Sequence, residues 1–279
     1  MARVWFITGI SRGIGRSLAE AALAKRDYVV GTTRDGKCDI DNDNLTVLAL
    51  DVKNAEQVES VVVEAFSIHK RLDVVVNNAG FGLLGAVEEV SSEEAHEVFA
   101  VNFFGALNVI QSALPFMRRF RSGHIVNISS IAGLAPGPGT GLYAASKFAL
   151  EGMSQSLKAE LEPLGIKVTV VEPGAFRTDF LSQHSIRYAQ DSLNDYEQTS
   201  GRQRATLEAM DGKQLGDPDL AARVIIEAVE SDNPPLHLLL GSDAVRRMRA
   251  KVCQYQNDID TWERHSLSTD IVDKSAVSV

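Results

Sequence analysis

Tyr143 and Lys147 stand four residues apart in Tyr143-Ala144-Ala145-Ser146-Lys147. On a helix that spacing puts both side chains on one face, about a turn apart, so an ammonium stands beside a phenol. A phenol titrates near ~10 in water, too high for proton transfer at neutral pH. A neighbouring positive charge favours its ionised form, so the pair predicts acid/base work on a substrate oxygen, with Lys147 lowering the phenol's pKa. Alone, the spacing is more often that of a solvated surface helix, where Tyr and Lys four apart occur by chance. Two further signals lie upstream: the Ser129-Ser130 pair and the glycine-rich opening from Thr8 to Gly15.

The elements that must hold these residues are readable from periodicity. Residues 3–8 form an apolar run bounded by a turn signal, as a buried strand does. Gly9-Ile10-Ser11-Arg12-Gly13-Ile14-Gly15 follows, then an Ala/Leu-rich helix to about Arg26. Strand, glycine loop, helix is the order a dinucleotide site needs, because glycines let backbone approach a pyrophosphate and the helix N-terminus favours its charge. The spacing is Gly-x-x-x-Gly-x-Gly rather than Gly-x-Gly-x-x-Gly, and an ordinary strand-to-helix turn remains the alternative for the loop alone.

Further strands are expected at 28–33, 45–50, 72–76, 124–128, 166–171 and 236–240. Helices are expected from Asn54 to Lys70, from a Ser91/Glu94 capping box toward Arg121 with Pro115 as a candidate kink, and from Tyr143 to Leu164 before Gly165. Asp217-Pro218 starts another, to Glu230, and residues 243–260 a last one. This alternation predicts an α/β fold: a Rossmann-like doubly wound parallel sheet of about seven strands with helices on both faces, one domain over 1–260. Residues 176–216 are long, polar and weakly periodic, which predicts a substrate lid. Residues 261–279 read as a polar tail that frays, with Trp262 as a candidate anchor.

Four signals then fall in one order: Thr8-Gly9-x-x-x-Gly13-x-Gly15, Asn77-Asn78-Ala79-Gly80 after an apolar strand, Ser130, and Tyr143-x-x-x-Lys147. Together they resemble the short-chain dehydrogenase/reductase family over residues 3–240. The resemblance implies hydride transfer between a nicotinamide and a carbonyl or secondary alcohol, with Tyr143 as general acid/base. It implies that Ser130 hydrogen-bonds the substrate oxygen, that Lys147 also reaches the nicotinamide ribose, and that Asn102, in Val101-Asn102-Phe103-Phe104-Gly105, holds Lys147 through a water. Gly9, Ser11, Arg12, Gly13, Ile14 and Gly15 would cradle the cofactor, joined by Asn78, Ala79 and Gly80. Asp51 and Val52 match the adenine contact, with Asp51 reaching the exocyclic amine; a helix N-terminal role is the alternative for Asp51. Pro173, Gly174 and Thr178 match the nicotinamide end. Pairing of the helices at 92–121 and 143–164 into a homodimer or homotetramer is also implied.

Charge bears on the cofactor. The second strand should end beside the adenosine ribose, where an acid binds a 2′-hydroxyl and an arginine accepts a 2′-phosphate. Thr33 occupies the acidic site, Arg34 follows, and Arg12 is a second cation, so NADP is favoured over NAD. Asp35 argues the other way, since a carboxylate there could pair with Arg34 or repel the phosphate. Phe81, Leu83, Ile131, Leu142, Ala175 and Phe176 make an expected apolar wall, favouring a hydrophobic ketone over a sugar phosphate or acyl-CoA.

With 279 residues, 44% of them hydrophobic, the chain can bury one substantial core. A net charge of -9 offers no basic footprint for nucleic acid or anionic membrane, and neither partner is expected. No long uncharged apolar span or cleavable leader is read, which predicts a cytoplasmic protein. Cys38 and Cys253 have no His or Cys neighbours at metal spacings, so neither a disulfide framework nor a metal is predicted. Two other functions compete: a non-catalytic NADP-binding regulator, and a nucleotide-sugar epimerase or dehydratase, whose relatives carry a larger carboxyl-terminal domain.

Overall fold

A strand covered by helices on both faces must be apolar on both, and Val4–Thr8 (β1) has all five side chains buried. The computed structural model describes residues 2–181 and 185–271. After β1 come α1 (Gly13–Ala24), β2 (Tyr28–Thr33), β3 (Leu45–Ala49), α2 (Ala55–His69), β4 (Val74–Asn77) and β5 (Gly82–Leu84). The middle of the chain forms α3 (Ser92–Phe99), α4 (Ala106–Phe120), β6 (Gly123–Ile128), α5 (Gly141–Leu161) and β7 (Ile166–Pro173). Then follow β8 (Ile186–Tyr188), α6 (Arg202–Met210), α7 (Pro218–Glu230), β9 (His237–Leu240) and α8 (Ser242–Leu267).

Seven strands form one parallel sheet in the order β3-β2-β1-β4-β6-β7-β9. Connections from β1 run outward to β2 and β3 on one side and to β4, β6 and β7 on the other. The order therefore reverses between β1 and β4, the place where such sheets open a crevice at their carboxyl ends. One core cluster packs α2, α4 and α5 on one face, through residues such as Val58, Ile110 and Leu157. The other packs α1 and α7 through Leu18, Ala22, Ile225 and Val229. The expected Rossmann-like α/β sheet is thus present.

Caps fix the helix starts where short polar side chains can satisfy free N–H groups. Asn54 accepts from Gln57 N, Ser91 and Glu94 close a reciprocal capping box, and Asp217 accepts from Asp219 N and Leu220 N ahead of Pro218. Gly165 takes φ +71 as expected of a left-handed cap.

Four expectations change. The helix toward Arg121 is interrupted by a π-helical turn at Ala100–Gly105, while Pro115 sits inside α4 without ending it. This run, Ser92–Phe120, is apolar enough over an 18-residue window to cross a bilayer, but Val109, Ile110 and Ala113 pack it into the core. The 176–216 segment is not featureless: β8 pairs in parallel with β5, and α6 follows. Three-residue strands carry too little periodicity to be read. Finally, α8 continues to Leu267, and Trp262 is 61% exposed rather than docked. The rest of the expected tail, 272–279, lies outside the described residues.

Gly15 tests the close packing behind the first loop. A Cβ there would lie 2.2 Å from Asn78 Nδ2 and 2.4 Å from Gly9 O, whereas one on Gly137 would meet nothing within 4 Å. Gly15→Ala should cost about 1–3 kcal/mol in a denaturant melt, by overpacking. Gly137→Ala should leave stability within about 0.5 kcal/mol of the parent.

Candidate active site

The carboxyl end of β1 is joined to that of β4 by one hydroxyl. Thr8 Oγ1 accepts from Asn78 N at 3.0 Å and Ala79 N at 3.1 Å, and donates to Val76 O at 3.3 Å. The Asn78 amide donates to Thr8 O at 3.0 Å and Gly9 O at 2.8 Å, so the Asn-Asn-Ala-Gly turn fixes the glycine loop. Gly9 and Gly13 hold φ +75 and +61, conformations that favour glycine. Gly9, Ser11, Arg12, Gly13 and Ile14 line a cleft of about 730 Å³; Gly15 lies behind the loop against Asn78 instead.

The same cleft takes in Arg34, Asp51, Val52, Asn78, Ala79 and Gly80, then Ser130, Tyr143 and Lys147, and finally Pro173, Gly174 and Thr178. Thr178 stands opposite the loop: a Cβ on Gly13 would be 3.5 Å from its Cβ. Arg12 Nε donates to Ser185 Oγ at 3.0 Å, tying the 176–216 segment to the glycine loop. Arg34 is exposed on the turn after β2 and, among the described residues, forms no ion pair. Asp35 turns away from it, accepting from Lys37 N at 3.2 Å and Thr33 Oγ1 at 3.1 Å, which holds its carboxyl below the ordinary value. Asp51 accepts from Lys53 N at 3.1 Å. Glycine backbone that can approach an anion, and a cleft of this size, fit a dinucleotide.

At the far end of the cleft the polar groups are buried and interlocked. Asn102, in the π-helical turn, donates to Phe81 O at 3.0 Å and Ser146 Oγ at 3.1 Å and accepts from Phe81 N at 3.0 Å. It does not line the cleft; it pins the strand-end backbone over Lys147. A Cβ on Gly80 would sit 3.1 Å from Asn102 Oδ1 and 3.6 Å from Lys147 Nζ, so a side chain there would crowd that approach. Lys147 Nζ donates to Ile128 O at 2.8 Å. Ser130 Oγ accepts from Ala132 N at 3.1 Å and lies close enough to Tyr143 to ease its ionisation.

The expected lowering of the phenol's pKa is not what this structure holds. Burial pushes Tyr143 up to about 12, opposed by Ser130. Burial also pulls Lys147 down to about 8, opposed by the Glu151 charge. The lysine's proton is spent on a backbone carbonyl, and desolvation dominates the neighbouring charge. In this state the phenol carries its proton across the neutral range.

One constellation was not foreseen. Glu151, one turn beyond Lys147 on α5, faces Glu172 on β7 and His237 at the start of β9. His237 Nδ1 lies 2.6 Å from Glu172 Oε1 and 3.7 Å from Glu151 Oε2, and one ligand atom from each residue falls within 4.8 Å of the others. Burial raises Glu151 to about 7 and Glu172 to about 8. Ser129 Oγ stands by Glu151 without completing a hydrogen bond. A cation would have to enter beside the Lys147 ammonium, and among the described residues both Glu151 carboxylate oxygens and Glu172 Oε2 are buried without a hydrogen-bond partner. The one available signal was the carboxylates inside otherwise apolar stretches.

Of the expected apolar wall, Phe81, Ile131, Ala175 and Phe176 line the cleft. Leu83 and Leu142 do not; they pack with Val98 and Ala144 behind Tyr143. Their place is taken by Phe180, whose ring centroid is 6.0 Å from that of Tyr143, and by Leu181, Leu207 and Met210.

A model of the short chain dehydrogenase family matches residues 3–188, and the chain belongs to that family. It is therefore an oxidoreductase. A 3-ketodihydrosphingosine reductase from Bacteroides thetaiotaomicron is 36% identical over 239 residues, covering 86% of this chain and 88% of the relative. The crystal structure of a short-chain dehydrogenase from Streptomyces avermitilis superposes with a TM-score of 0.91 at 36% identity, over 97% of this chain and all of that one. ElxO with NADP bound gives 0.71 at 28% identity, over 86% and 96%. Other solved proteins of this fold hold NADP or NAD.

The buried carboxyls set a pH dependence. Their folded pKa values lie above the unfolded ones, so the folded state binds the extra protons and stability falls as pH rises through the folded values. His124, lowered to about 4, and Lys147 act with the opposite sign but outside the window from about pH 6.5 to 8. Melting temperature should fall across that window, and the slope should flatten in Glu151→Gln and Glu172→Gln. A parent slope no steeper than the variants' would contradict the carboxyl reading.

Proposed function

We propose that the protein is an NADP-dependent carbonyl reductase acting on hydrophobic ketones, with Tyr143 as general acid/base. The observation that carries this reading is the convergence of Tyr143, Ser130 and Lys147 on the cleft that the glycine loop opens. When bound, NADPH supplies the hydride. Tyr143 gives its proton to the carbonyl oxygen as negative charge develops there, and is reprotonated from solvent. Ser130 orients that oxygen, and Lys147 keeps a positive charge beside the phenol. Asn102 holds the Phe81 backbone and Ser146 that frame the lysine.

The free guanidinium face of Arg34, with Asp35 turned aside, supports NADP over NAD. Phe176, Phe180, Leu207 and Met210 support an apolar substrate, and 176–216 acts as its lid. A relative named for reducing a 3-keto compound is in keeping with a keto substrate. The same reading includes a cytoplasmic location and a homodimer or homotetramer; Phe104, Phe120 and Phe148, 51%, 55% and 40% exposed around α4 and α5, suit such pairing.

Mixing the protein with NADPH and a ketone panel should consume NADPH with apolar ketones. Tight NADPH binding without turnover of any would favour the regulator. Tyr143→Phe should keep cofactor affinity within about twofold while turnover falls about 10²–10⁴-fold. Parent-like turnover would reject the assignment. Arg34→Ala should weaken NADPH by about 10–100-fold and leave NADH nearly unchanged, as loss of a charge-assisted phosphate contact does. Equal losses for both would contradict the phosphate reading.

A further inference from the structure

α8 leaves the body of the protein. Ala244 is buried and Met248 packs beside Ile131 and Ala135, but every residue from 252 to 271 is exposed. A helix extending alone into water has little to hold it. Yet this one carries Val252, Tyr255, Ile259 and Trp262, each between 52% and 61% exposed. With Met248 they repeat at alternating steps of four and three, the spacing of a coiled-coil seam.

Between residues 246 and 263 the charges along it are sorted by half. Arg246, Arg247, Arg249 and Lys251 lie toward its amino end, and Asp258, Asp260 and Glu263 toward its carboxyl end; Arg264 falls opposite the apolar seam by the same count. The terminal turns of α8, with Asp243 at one end and Arg264 at the other, suit the helix dipole but give the apolar stripe no partner. Arg249 and Glu263 occupy the same flank of the seam, about 21 Å apart along the axis at 1.5 Å per residue, beyond each other's reach within one helix.

We propose that α8 packs antiparallel against α8 of a second copy of this chain, about a twofold axis near Gln256. That arrangement sets Arg249 of each copy against Glu263 of the other and stacks Val252 on Trp262 and Tyr255 on Ile259. A parallel pair would oppose base to base and acid to acid, so the charges select the antiparallel register. The contact is isologous and closes at two copies. A polar face with both signs of charge gives no reason for this helix to lie on an anionic membrane.

Sedimentation equilibrium of the full chain tests the pairing independently of any turnover. Arg249→Glu and Glu263→Arg should each weaken self-association by about tenfold or more, since each reversal removes two pairs and adds two repulsions. The double reversal should restore it to within about threefold, and Ile259→Asp should abolish the α8 association while leaving pairing through α4 and α5 in place. In a Cys253→Ser background, Gln256→Cys should form an interchain disulfide under mild oxidation. Thermal melts check that the fold is kept, as these residues lie outside the body. A double reversal no better than the singles, or association untouched by Ile259→Asp, would overturn the proposal. Binding of protein that lacks the α8 association to phosphatidylcholine/phosphatidylserine vesicles through the same stripe would replace it with a membrane contact.

Discussion

A lysine ammonium and a phenol are held together in the interior with one backbone carbonyl, Ile128 O, as the lysine's hydrogen-bond acceptor. Removing that charge from water is costly, and the surroundings offset the cost by geometry rather than by solvent. Glu151 lends negative charge from a turn away on α5. Asn102, brought inward by a π-helical turn, fixes the Phe81 backbone above the lysine, and Gly80 leaves the space for it. A π-helical turn widens a helix locally and re-aims one side chain, which is why such turns recur at functional sites.

The second constraint is the joint between β1 and β4. A single threonine hydroxyl saturates its hydrogen-bonding capacity across the switch point, and an asparagine amide closes the loop from the other side. Both strands then deliver their carboxyl ends to one crevice. The glycine loop, the Asn78–Gly80 turn and the Tyr143 helix keep fixed positions relative to one another because each is anchored to the sheet. The 176–216 segment is tied to that frame through Arg12 and Ser185 and through the small β5–β8 pair.

Much of this was legible in the residues because parallel strands buried on both faces read as unbroken apolar runs, as at β1 and β4. The glycine loop and the Tyr143/Lys147 spacing likewise impose geometry locally. What was not legible depends on neighbours distant in sequence. Spacing puts Lys147 on the face of Tyr143 but says nothing of how dry that face is, so the direction of the phenol's shift came out opposite. Leu83 and Leu142 read as wall and Phe180 did not, since proximity to a motif does not say which side of a strand faces a cleft. Glu151 and Glu172 come together only through the packing of α5 against β7, which neither residue's own segment announces. The helix of α8 was legible over 243–260, but the polar residues beyond it read as a fraying tail, so its last turns and the end of its apolar stripe at Trp262 were not.

Desolvation keeps Tyr143 protonated, while Lys147 stays charged only up to the region of its lowered pKa, about 8. The direct measurement is kcat/KM for ketone reduction from about pH 6 to about pH 10. The rate should hold a plateau at low pH and decline as the lysine loses its proton, well below the ordinary lysine value. A rate that holds level to the top of that range would contradict this lowered pKa.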